Sequence, residues 1–172
     1  MGLASSAERR TATLRDGRTA LVSAFRDEDE PDLLELAQEA AIDDLVTLRE
    51  ATRAGAAMFV ARSERGQLIG YTAWAPDGDR AGRLVGFVVP AERGQGLGTL
   101  LVRRTVDDAC AHGLEQLTVR LHQGSEAIAE LLRDVGLATR WQISYPVTRV
   151  TIELARTRPG WSTPKAPETS SS

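Results

Sequence analysis

A glycine-studded turn followed at once by a long amphipathic run is the feature that most constrains this chain. The stretch PAERGQGLGTLLVRRTVDDACAHG places Gly94, Gly96 and Gly98 at every second position behind Arg93. Glycine allows positive φ angles and lets another molecule approach the backbone closely. The N–H groups of such a turn point outward, and the helix dipole adds partial positive charge. The pattern predicts a phosphate-binding turn, to which Arg93 adds a full charge and Thr99 a hydroxyl group.

Two well-known phosphate motifs do not fit this stretch. A P-loop requires a lysine after its last glycine, and the one lysine of the chain, Lys165, lies near the C-terminus. The dinucleotide fingerprint requires Gly-x-Gly-x-x-Gly, but the third glycine position is occupied by Thr99. A glycine-rich turn that binds no ligand stays an alternative.

Composition narrows the class of protein. The chain has 172 residues, which suits one domain, and its net charge of -3 argues against a general nucleic-acid binder. No apolar run is long enough to span a membrane. The single cysteine, Cys110, cannot form an internal disulfide, which favours a reducing, cytoplasmic setting. We expect Cys110 to be a small buried apolar group in a helix, and the two histidines form no metal-ligand pattern, so we expect no metal.

The order of predicted elements is β-β-α-α-β-β-β-α-β-α-β-β. An Asp-Gly turn predicts a hairpin within residues 11–26, and Pro31 after four acidic residues predicts the start of the first helix. A second helix is expected from Asp43 or Asp44 to about Arg53, and later helices from about Gly96 to Ala111 and from Ser125 to Gly136. The remaining strands are predicted at Ala57–Arg62, Leu68–Trp74, Leu84–Val89, Gln116–Leu121, about Ala138–Ser144 and Val147–Leu154.

This order predicts a mixed sheet with helices on its faces, an α/β (α+β) domain. We expect the domain to occupy residues 11–154. Residues 1–10 and the proline- and serine-rich residues 155–172 are expected to be disordered. Trp161 is the one residue of the tail that could dock onto the domain.

The glycine turn resembles a known family. The run Arg93-Gly94-Gln95-Gly96-Leu97-Gly98 matches the Arg/Gln-x-x-Gly-x-Gly/Ala signature of the GCN5-related N-acetyltransferases (GNAT). The strand before it, the helix after it and the later order of elements also fit, over roughly Thr19 to Leu154. The resemblance implies a mostly antiparallel sheet of about seven strands with four helices, and acetyl-CoA as co-substrate.

The same resemblance implies where acetyl-CoA binds. Main-chain N–H groups from Arg93 to Thr99 would hold the pyrophosphate. Ser125 stands at the position of an asparagine that members of the family commonly carry, and it is expected on the cofactor side. Backbone groups of Phe87, Val88 and Val89 would pair with the pantetheine, with the Val88 or Val89 N–H polarising the thioester carbonyl. The strands Leu84–Val89 and Gln116–Leu121 would splay to admit the ligand.

The chain departs from the family at two catalytic positions. The tyrosine that usually protonates the leaving thiolate is replaced by Leu132, and the usual glutamate base by about Arg83. An apolar residue at the tyrosine position is similar to bacterial protein-lysine acetyltransferases of the family. His122 is the one candidate for proton transfer, the alternative being a solvated histidine at a strand end.

Other polar and aromatic residues near the expected cleft have simpler interpretations. Glu92 is expected on the solvated surface, Trp74 in the core rather than in an acceptor pocket, and Tyr145 in a turn, from which it could reach the acceptor side.

The expected function is acetyl transfer from acetyl-CoA directly to a primary amine of a small molecule or a protein. The acceptor would contact Glu39–Asp44 and the last strand pair. Asp43 and Asp44 would favour a cationic acceptor, but a helix cap is the preferred interpretation of these two residues. A non-catalytic acyl-CoA sensor and a protein-interaction domain are the alternatives, and the chain would act as a monomer or homodimer.

Overall fold

The computed structural model describes residues 9–38, 49–51, 53, 57–121 and 126–154. Several predicted features lie outside these residues. They are His122, Ser125, the acceptor segment Glu39–Asp44, Trp161 and the tail 155–172.

Eight strands form one sheet. Their bounds are β1 Arg10–Thr13, β2 Thr19–Ala24, β3 Met58–Ser63, β4 Leu68–Pro76, β5 Ala81–Val88, β6 Gln116–Leu121, β7 Thr139–Ser144 and β8 Val147–Glu153. The order across the sheet is β1-β2-β3-β4-β5-β6-β8-β7. Every neighbouring pair is antiparallel except β5 and β6, which are parallel.

Two short 3-10 helices span Asp27–Asp29 and Pro90–Glu92, and residues 49–51 and 53 are also helical. Three α-helices are described in full. Their bounds are α1 Glu30–Gln38, α2 Leu97–Ala111 and α3 Glu126–Asp134. The predicted mixed, mostly antiparallel sheet with four helices is therefore confirmed, with eight strands instead of about seven.

The core lies on both faces of the sheet. On one face α1 packs Leu33 and Leu36 against β3 and β4, around the fully buried Tyr71. On the other face α2 and α3 cover β4, β5, β6 and β8, with Val106, Leu117 and Leu132 among the least exposed side chains. The alternation of side chains along each strand therefore separates an α1 face from an α2–α3 face.

Most boundaries differ from the predictions by one or two residues, and two differences have a clear structural reason. Strand β5 begins at Ala81, three residues before the predicted Leu84, because Gly82 and Arg83 pair with both β4 and β6. The predicted disordered N-terminus extends too far, since Arg10 already pairs with Val22 in β1. Neither extension has a strong local signal, because each depends on a partner strand.

Candidate active site

An opening between β5 and β6 is the central feature of the site. The two strands pair at only three positions, Ala81 with Gln116, Gly82 with Leu117 and Arg83 with Thr118. Beyond this point β5 continues to Val88 and β6 to Leu121. The predicted splay is therefore present, and it leaves one side of β5 without a strand partner from Leu84 onward.

Backbone alternation decides which groups of β5 face the opening. The Asp77 N–H donates to the Ala81 carbonyl (2.9 Å), and the Val89 N–H donates to the Ile69 carbonyl (3.0 Å). Odd-numbered residues of this strand therefore bond to β4, so that the polar groups of the even-numbered residues face β6 or the opening. Among the three residues predicted to pair with pantetheine, Val88 presents its N–H and carbonyl to the opening. The backbone groups of Phe87 and the Val89 N–H face β4, whereas the Val89 carbonyl accepts from the Glu92 N–H (2.9 Å).

The glycine turn joins the end of β5 to α2. Gly94 has a φ angle of 76° and Gly96 one of 88°, and a Cβ on either would meet no atom within 4 Å. Glycine is required at both positions by backbone conformation and not by crowding. Gly96 is the N-cap of α2, so the turn leads directly into the positive end of the helix dipole.

A row of unsatisfied N–H groups lies along this turn. The Arg93 N–H donates to the Pro90 carbonyl (3.3 Å), and the Leu100 N–H donates to the Gly96 carbonyl (3.2 Å). Between them, the N–H groups from Gly94 to Thr99 have no acceptor among the described residues. Such a row at a helix N-terminus suits an anion with several oxygen atoms, such as a pyrophosphate.

The third glycine of the motif, Gly98, is needed for a different structural reason. A Cβ on Gly98 would lie 2.4 Å from Cδ1 of Leu131, a residue of α3. Gly98 therefore permits the close approach of α2 and α3. Leu97 beside it is 1% exposed and packs in the core, so only its backbone can contact a ligand.

The N-terminal hairpin holds the glycine turn from the other side. The Arg15 N–H donates to the Gln95 carbonyl (3.2 Å), and Arg15 Nη1 donates to the Gly94 carbonyl (3.3 Å). The Asp16 N–H donates to the Gln95 side-chain oxygen (3.1 Å). The hairpin turn thus engages the carbonyls of the glycine turn and leaves its N–H groups available. No local signal in the sequence predicts this contact, since its partners lie 79 residues apart.

Glu92 belongs to the same support, and its prediction as solvated surface is wrong. Both of its carboxylate oxygens accept hydrogen bonds from Arg18, each at 2.8 Å, and its side chain is only 11% exposed. Arg18 also donates to Asp16 at 2.7 Å. The hydrogen bond from Arg18 is the main cause that lowers the pKa of Asp16, and the pKa of the Arg18 guanidinium is raised chiefly by Glu92.

Arg93 does not extend freely into solvent. Its Nε donates to the Val88 carbonyl (3.0 Å), and its guanidinium lies 5.5 Å from the centre of the Phe87 ring. The side chain therefore braces the turn against the end of β5, where a cation and an aromatic face attract each other. Its charge still lies at the mouth of the opening.

The two unusual catalytic positions serve structural roles. Leu132 is 1% exposed in the core between α3 and the sheet. Arg83 forms ion pairs with Glu50 and, at 3.8 Å, with Asp77. His122 and Ser125 lie outside the described residues, so their roles stay predictions.

The structure confirms the predicted positions of Trp74 and Tyr145 and contradicts the predicted burial of Cys110. Trp74 is in the core as predicted, 4% exposed, with its ring N–H donating to Asp108 at 2.8 Å. Cys110 is exposed and not buried, because it lies on the outer side of α2. Tyr145 is 85% exposed in the β7–β8 turn.

The described residues contain neither a metal-ligand cluster nor a membrane-spanning helix. No group of three or more His, Cys, Asp or Glu side chains within this part of the chain could hold a metal ion. Of its helices, none has the length and apolar character needed to cross a bilayer.

Comparison with known proteins relates the domain to one family. The family model of the acetyltransferase (GNAT) domain matches residues 54–136, which include β3 to β6, the glycine turn and α2. Over these residues the chain is similar to the GNAT acetyltransferase family. No curated protein matches the sequence.

Solved structures share the GNAT fold at low identity. The GNAT domain of S. lividans PAT has a TM-score of 0.68 and 15% identity, over 84% of this chain and 96% of that one. The acetyltransferase yncA from Salmonella typhimurium, solved with acetyl-CoA, has a TM-score of 0.62 and 19% identity, over 80% and 95%. A phosphinothricin acetyltransferase from Sinorhizobium meliloti, in complex with AcCoA, has a TM-score of 0.63 and 17% identity, over 77% and 86%.

Proposed function

We propose that this domain transfers an acetyl group from acetyl-CoA directly to a primary amine of a small molecule or a protein. The observation that carries the proposal is the β5–β6 opening together with the row of N–H groups from Gly94 to Thr99. The Salmonella and Sinorhizobium structures with acetyl-CoA support the choice of ligand.

In this proposal the protein mainly binds and orients. The N–H groups of the glycine turn hold the pyrophosphate, and the pantetheine arm runs from the turn into the β5–β6 opening. Acetyl-CoA supplies an activated thioester. The Val88 N–H donates to its carbonyl oxygen, where negative charge develops as the amine attacks, so that a C–N bond replaces the C–S bond and CoA leaves.

Val88 is preferred to Val89 for this role on geometric grounds. The Val89 N–H already donates to Ile69, whereas the Val88 N–H faces the opening. The proton lost by the amine would pass to solvent or to His122, whose role stays a hypothesis.

A thermal-shift titration tests ligand binding. Acetyl-CoA and CoA should raise the unfolding midpoint, since a ligand that binds only the native state stabilises it, whereas NAD and ATP should not. No shift with any CoA species at millimolar concentration would contradict the proposal and favour an interaction domain.

A pair of glycine variants makes this test specific. Gly96→Ala and Gly78→Ala both place a side chain at a left-handed position with open space around it, at φ 88° and 95°. Both should lose about 1–2 kcal/mol of stability. Only Gly96→Ala should lose the acetyl-CoA shift, because Gly78 lies in the β4–β5 turn at the opposite end of β5. Equal acetyl-CoA thermal shifts in the two variants would contradict the proposal that the glycine turn binds the ligand.

A non-catalytic acyl-CoA sensor is the second candidate. It is favoured by Leu132, which is buried, and by Arg83, which is ion-paired, at the usual acid and base positions. CoA binding without release of CoA thiol on a broad amine panel would support the sensor against the enzyme.

A further inference from the structure

Two arginines lie directly opposite each other beside the opening. In the β6–β8 register Arg120 is paired with Arg149, and in the β7–β8 register Arg149 is paired with Gln142. Arg120 lies two residues beyond Thr118, the last β6 residue that pairs with β5. This row therefore borders the opening in which the proposed transfer takes place.

The row lies on the α1 face of the sheet. Leu117, Val119 and Leu121 alternate with Arg120 along β6 and pack in the α2–α3 core. Val150 is likewise buried in that core, beside Arg149 in the chain. Because neighbouring side chains of a strand point to opposite faces, both arginines point away from the α2–α3 core.

Neither arginine has an acidic partner among the described residues. Arg140, on the same face of β7, forms an ion pair with Glu153 at 2.6 Å. Like charges directly opposite in a sheet destabilise it, so the Arg120–Arg149 pair carries a cost that the described part of the fold does not offset. Two exposed guanidinium groups held side by side in this way can together bind a ligand of opposite charge.

A pocket lies at this row. Its volume is about 320 Å³, at the lower end of the range for small-molecule sites. Gln142, Ser144 and Tyr145 add an amide and two hydroxyl groups to the two guanidinium groups. The lining residues are Arg120, Gln142, Ser144, Tyr145, Pro146, Val147 and Arg149.

We propose that this pocket binds an anionic group of the acceptor, so that the substrate is a small amine carrying a carboxylate or a phosphate. The inference rests on the proposed acetyl transfer and names its substrate class. Guanidinium groups bind both anions through two parallel N–H···O bonds, and a pair of them can orient the amine toward the opening. A cationic acceptor would follow only from contacts of Asp43 and Asp44, and those residues lie outside the described part of the chain.

The first experiment compares matched acceptors, with CoA release as the readout. A pool of L-α-amino acids is set against the pool of their amides, and phosphoethanolamine against ethanolamine. In at least one pair we expect the kcat/KM of the anionic amine to be about 10- to 100-fold higher than that of its neutral counterpart. This is the effect of one charge-assisted hydrogen bond or more. The pair that responds distinguishes carboxylate from phosphate. Equal or better use of the neutral amines would overturn the proposal.

The second experiment assigns the effect to the arginines. Arg120→Gln and Arg149→Gln should each raise the KM for the reactive acid about 10- to 100-fold and leave the KM for acetyl-CoA unchanged. Arg149→Lys should recover part of the loss. Arg140→Gln, which removes an ion-paired arginine of the same face, should change neither KM. A rise in the KM for acetyl-CoA, or an equal loss in Arg140→Gln, would overturn the proposal.

A binding measurement separates this proposal from the proposed function. L-glutamate and phosphoethanolamine are titrated calorimetrically into the full chain and into Arg149→Gln, without acetyl-CoA. Binding of either that is lost in the variant supports the anion pocket even if acetyl-CoA fails to bind. Absence of binding together with an intact acetyl-CoA shift overturns the pocket and leaves the acetyltransferase proposal standing.

Discussion

Alanine at Gly98 tests why the third glycine of the motif is present. Its Cβ would lie 2.4 Å from Leu131 Cδ1, whereas carbon atoms in contact are about 3.5–4.0 Å apart, so Leu131 must move by about 1 Å or more. Overpacking of this kind destabilises by about 1–3 kcal/mol. Alanine is about 1 kcal/mol better than glycine in a helix, so we expect a net loss of about 0–2 kcal/mol.

A double-mutant cycle isolates the contact. Gly98→Ala, Leu131→Ala and the double variant are unfolded in urea, and their free energies of unfolding are compared. In the Leu131→Ala background the nearest remaining atom is Val88 Cγ2 at 3.8 Å, an ordinary contact. Gly98→Ala should then stabilise by up to about 1 kcal/mol, a coupling of about 1–3 kcal/mol. The reasoning is refuted if Gly98→Ala has the same effect in both backgrounds.

Ligand binding by the double variant gives a second readout. The new methyl group faces Leu131 and not the N–H groups of the turn, so the double variant should keep the acetyl-CoA thermal shift of the native chain. Loss of the shift in the double variant, despite restored stability, would mean that Gly98 is needed for the close approach of the ligand.

Three further predictions concern stability and reactivity. Because Arg18 lowers the pKa of Asp16, the stability from this carboxylate is present above the usual pKa of aspartate and is lost as the pH falls through the lowered pKa. Thermal melts from about pH 6 to about pH 3 should therefore show a smaller loss for Asp16→Asn than for the native chain; an equal loss would contradict the assignment. Although Cys110 is exposed, desolvation of its thiol by neighbouring groups and the nearby Asp107 carboxylate raise the thiol pKa, so iodoacetamide at neutral pH should alkylate it more slowly than a free cysteine. The buried Thr105 hydroxyl forms hydrogen bonds with the Leu101 carbonyl (3.0 Å) and the Thr72 hydroxyl (2.7 Å). Thr105→Val should therefore lower the free energy of unfolding, measured in urea, by about 1 kcal/mol. An unchanged free energy of unfolding would contradict this prediction.

Local signals in the sequence predicted most of the fold. Strand Gln116–Leu121 and the end of α2 at Ala111 were placed as found, because alternation, helical periodicity and Gly113 are encoded in neighbouring residues. The glycine turn was recognised for the same reason, since its positive φ angles require glycine in place. The splay of β5 and β6 came from the resemblance and not from any pattern within either strand.

The tertiary structure decided the contacts between distant segments. Glu92 is charged and close to the glycine turn in the chain, which suggested exposed surface, but the hairpin brings Arg18 onto it. In the same way Arg120 and Arg149 become neighbours only because β8 pairs with β6. The sequence by itself determined the elements and the phosphate-binding turn, since these depend on local backbone preferences. The support of that turn and the charge of the neighbouring pocket depend on strand order and register, which arise only when the whole sheet assembles.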